Sequence, residues 1–262
     1  MSSASSPMPP PATSRSEEAE HLLRVLDAVV QTLGSALPSS VEIVLHDLDR
    51  LPNSIVSVSG DVTRRSIGDP ATDVLLQAIV SGQADSMVGY QTRLPDGREL
   101  RSSTQIVRDS QGHQVAAVCV NADVTAWLQM RDLVTRVLQP LSAVGSAPAA
   151  PVAAVPNELS EHRGEAPSAA GERFPKDVDE LAAHLLSDAV GAVGIPVDLM
   201  KKEHKLAVVS RLRQRGMFLL RDAVEMVAAH LHVTRFTIYN YLNEIERQSG
   251  VEVANIYRDD EG

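Results

Sequence analysis

The chain predicts an α+β protein made of two dissimilar domains, an antiparallel sheet domain with flanking helices followed by an all-helical domain. Three observations predict it. Between residues 41 and 121 lie five short runs suited to strands, with turn signals among them. From residue 178 the apolar side chains recur at helical spacing instead. Between these regions, Leu141 to Pro175 is rich in Ala, Pro and Ser and has little periodicity, as in a flexible, partly extended linker. A length of 262 residues exceeds one typical domain, and each half is large enough for its own core.

The first helix is predicted over Glu17 to Leu37, where Leu22, Leu23, Leu26, Val29, Val30 and Leu33 form one buried stripe and Gly34 and Pro38 end it. Strands are predicted at Val41 to Leu48, Ser54 to Ser59, Ser86 to Arg93, Glu99 to Val107 and Gln114 to Asn121. Asp96-Gly97 and Gln111-Gly112 separate the last three as hairpin turns. Asp69 to Ser81 reads as a helical crossover, with Pro70 in its first turn and Val74, Leu75, Ile79 and Val80 on its apolar side. Two strands, a helical crossover and three antiparallel strands is the order found in PAS-type sensor domains.

In the fifth run Val115, Ala117 and Cys119 alternate with Ala116, Val118 and Val120, so both sheet faces need a cover. The first helix and the crossover would supply one each, leaving a small pocket between crossover and sheet. Asp123 to Leu138 is helical in pattern and Pro140 is expected to stop it. Val178 to Val193 and Val197 to Arg215 read as helices closed near Gly194 to Pro196 and by Gly216. The expected organisation is a tail at 1–16, a PAS-like sensor domain at 17–139, a linker at 140–175 and a helix-turn-helix domain at 176–262.

The net charge is −10, which excludes a protein that coats nucleic acid along its whole length. Charge is segregated, however. From Lys201 to Arg247 there are nine basic residues against five acidic ones. Cys119 is the single cysteine, which excludes an intramolecular disulfide and a Cys-based zinc cluster and fits a reducing, cytoplasmic setting. The first fifteen residues lack the apolar core of a secretion signal, and no stretch reaches the length of a membrane span.

The segment LLRDAVEMVAAHLHVTRFTIYNYLNEI, from Leu219, fits two helices joined by a three-residue turn. The first would run from about Arg221 to His230, the turn is Leu231-His232-Val233, and Thr234 would cap the second. Ala228 has the small side chain needed where helices cross. His232 stands where such turns often carry Gly in a left-handed conformation, which histidine tolerates comparatively well. On a helical wheel Thr234, Ile238, Tyr241 and Ile245 share a core stripe, while Arg235, Phe236, Tyr239, Asn240 and Asn243 lie opposite. A guanidinium, amides and aromatic rings on an outer face can read base edges and phosphates, so Thr234, Arg235, Phe236, Tyr239, Asn240 and Asn243 are the expected contacts to double-stranded DNA. Dimers that read half-sites about one turn of DNA apart are usual for this motif, so a homodimer or higher homo-oligomer is expected.

The blocks EIVLHDL (Glu42 to Leu48), RRSIGDPATD (Arg64 to Asp73), DGRELRSSTQIVRDSQG (Asp96 to Gly112), CVNADVTAW (Cys119 to Trp127) and RGMFLLRDAVEMVAAHLHVTRFTIYNYL (Arg215 to Leu242) occur in one order. In these the chain resembles the YheO-like regulators, the DauR type included, which join a PAS-like sensor to a C-terminal helix-turn-helix. The resemblance implies a transcription factor, repressor or activator, tuned by a small effector that is amino-acid-like in the leading view. The competing reading is a small-molecule sensor that acts through protein contacts without sequence-specific DNA binding. No phosphate loop, nucleophile elbow or metal-ligand spacing points to an enzyme, a metal or a cofactor.

Seven residues are candidates for effector contact. His46, followed by Asp47, either meets a ligand or stabilises a turn. Arg64 and Arg65 either hold a carboxylate through a bidentate guanidinium or are solvated. Ser102 and Thr104 point to one sheet face and Ser103 to the other, so at least one hydroxyl faces inward. Asn121 either reaches a pocket rim or caps the following helix. Cys119 reads as core.

Overall fold

The computed structural model describes residues 16–82, 85–142 and 172–256. The expected N-terminal tail up to residue 15 and linker residues 143–171 lie outside them. The order is α1 (Glu17–Ala36), β1 (Val41–Asp47), β2 (Ile55–Ser59), α2 (Asp73–Ser81), β3 (Ser86–Arg93), β4 (Glu99–Arg108), β5 (Gln114–Asp123) and α3 (Thr125–Ser142). Four helices follow: α4 (Val178–Val193), α5 (Lys202–Gln214), α6 (Ala223–His230) and α7 (Arg235–Ile256). The fold is α+β, as the sequence predicts. No described helix is long and apolar enough to cross a membrane.

The five strands form one antiparallel sheet in the order β2-β1-β5-β4-β3. Strands β1 and β5 lie at its centre although they are far apart in sequence, which brings Glu42 opposite Asn121. One face is covered by α1, whose Ala19, Leu23, Leu26 and Val30 pack on Ile43, Leu45, Ala116, Val118 and Val120. Ser16 starts that helix by accepting the Ala19 amide at 3.1 Å, which satisfies one of the free N–H groups of the first turn. The opposite face is covered by α2 and by the loop leading into it.

Val115 departs from the expected alternation. A bulge in the β4–β5 register between Val107 and Arg108 leaves Val115 outside the pairing and turns it toward α1 together with Ala116. The crossover helix also begins later than predicted. Thr72 caps it, its hydroxyl accepting the Leu75 amide at 3.2 Å, so Pro70 lies ahead of the helix rather than in its first turn. Pro140 does not stop α3 but falls in its final turn, two residues before Ser142, where a missing amide hydrogen removes one bond only.

In the helical domain the second predicted helix starts at Lys202 instead of Val197. Residues Val197–Leu199 form a 3-10 turn, and the chain then enters α5 with His204 Nδ1 accepting the Lys201 amide at 3.2 Å. Similarly, α6 cannot begin before Ala223 because Asp222 adopts a left-handed backbone, φ 57°.

The two domains share one apolar core. Leu76 and Ala78 of α2 belong to the same buried cluster as Leu181, Leu185, Val208, Leu212, Val227 and Ile238. Gly216 makes the closest approach. A Cβ there would meet Leu76 Cβ at 2.9 Å, and its φ of +78° is one that glycine adopts freely. Beside it, Arg215 Nη2 donates to buried Asp73 Oδ2 at 2.6 Å, and Arg173 donates its amide to Asp73 Oδ1 at 3.1 Å. The Arg215 guanidinium also pairs with Asp188.

Candidate functional site

The first candidate site is the surface of α7. His232 has φ 52°, so the three-residue turn is left-handed where the sequence predicts it. Lys205 Nζ of α5 donates to the Leu231 carbonyl at 2.8 Å and His232 Nδ1 lies 3.0 Å from Asp198 Oδ1, so neighbouring elements hold the turn from outside. Thr234 caps α7 by accepting the Thr237 amide at 3.2 Å. It is exposed, so it does not join the core stripe as expected, because an N-cap residue stands at the mouth of the helix rather than on its buried side. Ile238, Tyr241 and Ile245 are buried against α5 and α6 and fix the rotation of α7 about its axis.

That rotation puts Arg235, Phe236, Tyr239, Asn240 and Asn243 in solvent. Phe236 is 73% exposed and Tyr239 54%, which no folding requirement of the single chain accounts for. Arg235 Nη1 donates to Glu225 Oε1 of α6 at 2.7 Å, and this partner raises the guanidinium pKa. An exposed pair of this kind is screened by solvent, so a phosphate or guanine can replace Glu225 at little cost.

The second candidate site is the inner face of the sheet. Glu42, Asn121, Ser102 and Thr92, one from each of β1, β5, β4 and β3, form a buried polar row. Glu42 accepts from the Thr63 amide at 2.9 Å, the Thr63 hydroxyl at 2.6 Å and Asn121 Nδ2 at 3.3 Å. Ser102 donates to Asn121 Oδ1 at 2.9 Å, and Thr92 Oγ1 lies 3.4 Å from Ser102 Oγ. A second row holds Tyr90, Thr104 and Cys119, with the Tyr90 hydroxyl 3.0 Å from Thr104 Oγ1 and the latter 3.4 Å from Cys119 Sγ. Burial pushes the Cys119 thiol up to about 11, so it stays protonated near neutrality.

His46 and Arg65 complete the cluster. His46 is fully buried, with Nδ1 2.8 Å from Ser54 Oγ and Nε2 without a hydrogen-bond partner. Burial, then the charge of Arg65, holds its pKa well below the ordinary histidine value, so the ring is neutral. The Arg65 guanidinium is buried too, donates to the Pro70 carbonyl, and leaves Nε unpartnered.

Of the seven predicted contact residues, the structure therefore brings His46, Arg65, Ser102, Thr104 and Asn121 to one face. Arg64 is left apart, exposed on a left-handed backbone, φ 58°. Ser103 points to the other face, where its hydroxyl accepts the Gly89 amide at 3.0 Å. Asn121 lies in the buried row and does not cap α3. Glu42, Thr63, Thr92 and Glu172 were not anticipated. Glu42 had a signal, since it shares strand parity with Val44 and His46; Glu172, inside the Ala/Pro-rich stretch, had none. Among the described residues no group of three His, Cys, Asp or Glu side chains could hold a metal ion.

Comparison with known proteins bears on both sites. A profile described as a YheO-like PAS domain matches residues 16–139, and one described as a helix-turn-helix domain matches residues 181–243. An uncharacterised protein of Haemophilus influenzae is 24% identical over 88% of this chain and 95% of its own length. Uncharacterised protein YheO of Escherichia coli is 26% identical over 86% of this chain and 85% of its own. The transcriptional regulator DauR of Pseudomonas aeruginosa is 24% identical over 84% of this chain and 92% of its own. With both domains present in this order, the chain belongs to the YheO-like family, a YheO-like PAS domain joined to a C-terminal helix-turn-helix.

Proposed function

We propose that the protein is a DNA-binding transcriptional regulator that reads double-stranded DNA with the exposed face of α7 and senses a small effector in its PAS domain. One observation carries the first half. Arg235, Phe236, Tyr239, Asn240 and Asn243 stand in solvent on a helix whose opposite side is locked in the core. Guanidinium and amide groups pair with base edges, and an aromatic ring contacts a thymine methyl. The helix-turn-helix match and the similarity to DauR support the same reading.

The buried polar cluster supports the second half. A domain that needed only stability would fill this face with apolar side chains; a row of hydroxyls, an amide and an unpartnered guanidinium nitrogen is chemistry suited to a polar ligand. The class implied by the family resemblance, an amino-acid-like molecule, fits such groups.

The acting species is a homodimer. Trp127, Met130, Val134 and Val137, spaced alternately three and four residues apart, form an exposed apolar seam on α3, and Leu133 and Leu138 extend it. This is the pattern by which one helix packs against a copy of itself. Light scattering should show a dimer that Val134→Glu dissociates; a monomeric wild type would contradict it.

Selection from a pool of random duplexes tests the regulator reading. A defined, partly palindromic motif is expected, with affinity that falls as salt rises. Recovery of no motif at all would overturn it.

A further inference from the structure

Glu172 is a carboxylate buried in a domain to which it does not belong in sequence. It precedes α4 by a few residues, is only 5% exposed, and projects into the polar cluster of the PAS sheet. The Thr92 hydroxyl of β3 donates to Oε2 at 2.9 Å, and the Thr72 hydroxyl at the start of α2 is also hydrogen-bonded to it. Arg65 lies close enough to act on Glu172, on Cys119 and on His46. Two residues on, the Phe174 ring sits 6.0 Å from the Arg65 guanidinium carbon and packs near Val62, Leu94 and Leu100. The segment thus inserts both a carboxylate and an aromatic ring.

The remaining carboxylates of this region are already satisfied. Glu42 is held by Thr63 and Asn121, and Asp73 by Arg215 and the Arg173 amide. Removal of Glu172 would take an acceptor from the Thr72 and Thr92 hydroxyls and a neighbouring negative charge from the Arg65 guanidinium, beside two buried nitrogens, Arg65 Nε and His46 Nε2, that lack partners even now. This is a site whose vacancies are those of a carboxylate.

We propose that the inner face of the PAS sheet is a binding site for a small carboxylate, and that Glu172 occupies it as a tethered competitor. A free carboxylate that takes the place of Glu172 would release residues 172–176 from the sheet. Those residues lead directly into α4, and the Arg173 amide is one of the ties to Asp73, so binding in the sensor would loosen its junction with the helical domain. The proposal rests on reading the PAS domain as the sensor.

The test uses the full chain and acetate, which replaces the methylene and carboxylate lost in Glu172→Ala. The variant should bind acetate saturably by titration calorimetry, at least about tenfold more tightly than wild type, since the tether no longer competes. Acetamide, of the same shape but with an NH2 that cannot accept from the Thr72 or Thr92 hydroxyl, should bind more weakly. Thr92→Val in the same background should weaken acetate binding without unfolding the domain. No saturable binding, or equal binding of acetamide, overturns the site. The affinity of Glu172→Ala for the selected duplex is the separate readout. A changed affinity supports the coupling; acetate binding with unchanged DNA affinity keeps the site but counts against the sensor reading on which it rests.

Discussion

In the sheet domain polar side chains are buried, whereas in the helical domain they face solvent, apart from His184 and Arg215, which turn toward buried Asp73 at the junction. Glu42, His46, Thr63, Arg65, Thr92, Ser102, Thr104 and Asn121 are all buried, most of them on one face of the sheet, and Glu172 joins them from outside. From Asp177 onward, every buried side chain among the described residues is apolar or, in Tyr241, aromatic. Buried polar groups must be paired to be tolerated, and two nitrogens of the sheet cluster are not. The difference teaches where each domain does its chemistry. On the proposed function, the PAS domain gives up apolar packing to build an interior recognition surface, and the helical domain uses an ordinary core to hold an exterior one at a fixed angle.

Four predictions break or sharpen this contrast, beginning with the largest effect. Ile238→Ala empties a fully buried position in the helical core and should cost about 2–5 kcal/mol in chemical denaturation. A loss below about 1 kcal/mol would mean that α7 is not anchored as described. Glu42→Ala should cost about 1–3 kcal/mol, because the Thr63 amide and the Asn121 amide lose their acceptor inside the domain. Adding Thr63→Val should return part of that loss. Strict additivity of the two changes would show that the buried network is not a unit.

Thr234→Ala should cost about 1 kcal/mol through the lost cap, less than a buried apolar residue would. A penalty as large as that of Ile238→Ala would return Thr234 to the core.

The fourth prediction concerns pH. Burial, opposed by hydrogen bonds from Thr72 and Thr92, pushes the Glu172 carboxyl up from 4.5 to about 7. The charged and titratable groups around it are Asp73 on α2, Tyr90 on β3, Cys119 on β5 and Arg65 in the loop before α2. A carboxyl with a raised pKa favours the docked state fully below its free value, and that contribution is lost as pH rises through about 7. Hydrogen exchange at 172–176, corrected for intrinsic rate, should show docking weaken from pH 5 to 8 in wild type but not in Glu172→Gln. Parallel behaviour of the two proteins would contradict it.

Much of the fold was legible because its periodicities are strong. The β3 run Ser86 to Arg93 and the α4 run Val178 to Val193 match the observed elements end to end. The turn at Leu231-His232-Val233 could be read because only a few residue types accept a left-handed backbone next to a good cap. Other features depend on tertiary context that local pattern does not encode. The bulge that reverses Val115 is set by the pairing of β4 with β5, and the late start of α2 by the Thr72 cap. At the candidate site, strand parity paired Ser102 with Thr104, and His46 stood out beside Asp47 at the end of the first strand, but nothing told whether Arg64 or Arg65 turns inward, since a loop has no parity. Glu172 was hidden altogether, because its partner Thr92 is 80 residues away.

The most direct test of the central claim is the affinity of Arg235→Ala/Asn240→Ala for the selected duplex, with circular dichroism to confirm the fold. Each bidentate base contact is worth about 1–3 kcal/mol, so loss of both should weaken specific binding by about 30-fold or more. An intact double variant that binds the duplex as tightly as wild type would contradict the assignment of the α7 face as the DNA-reading surface.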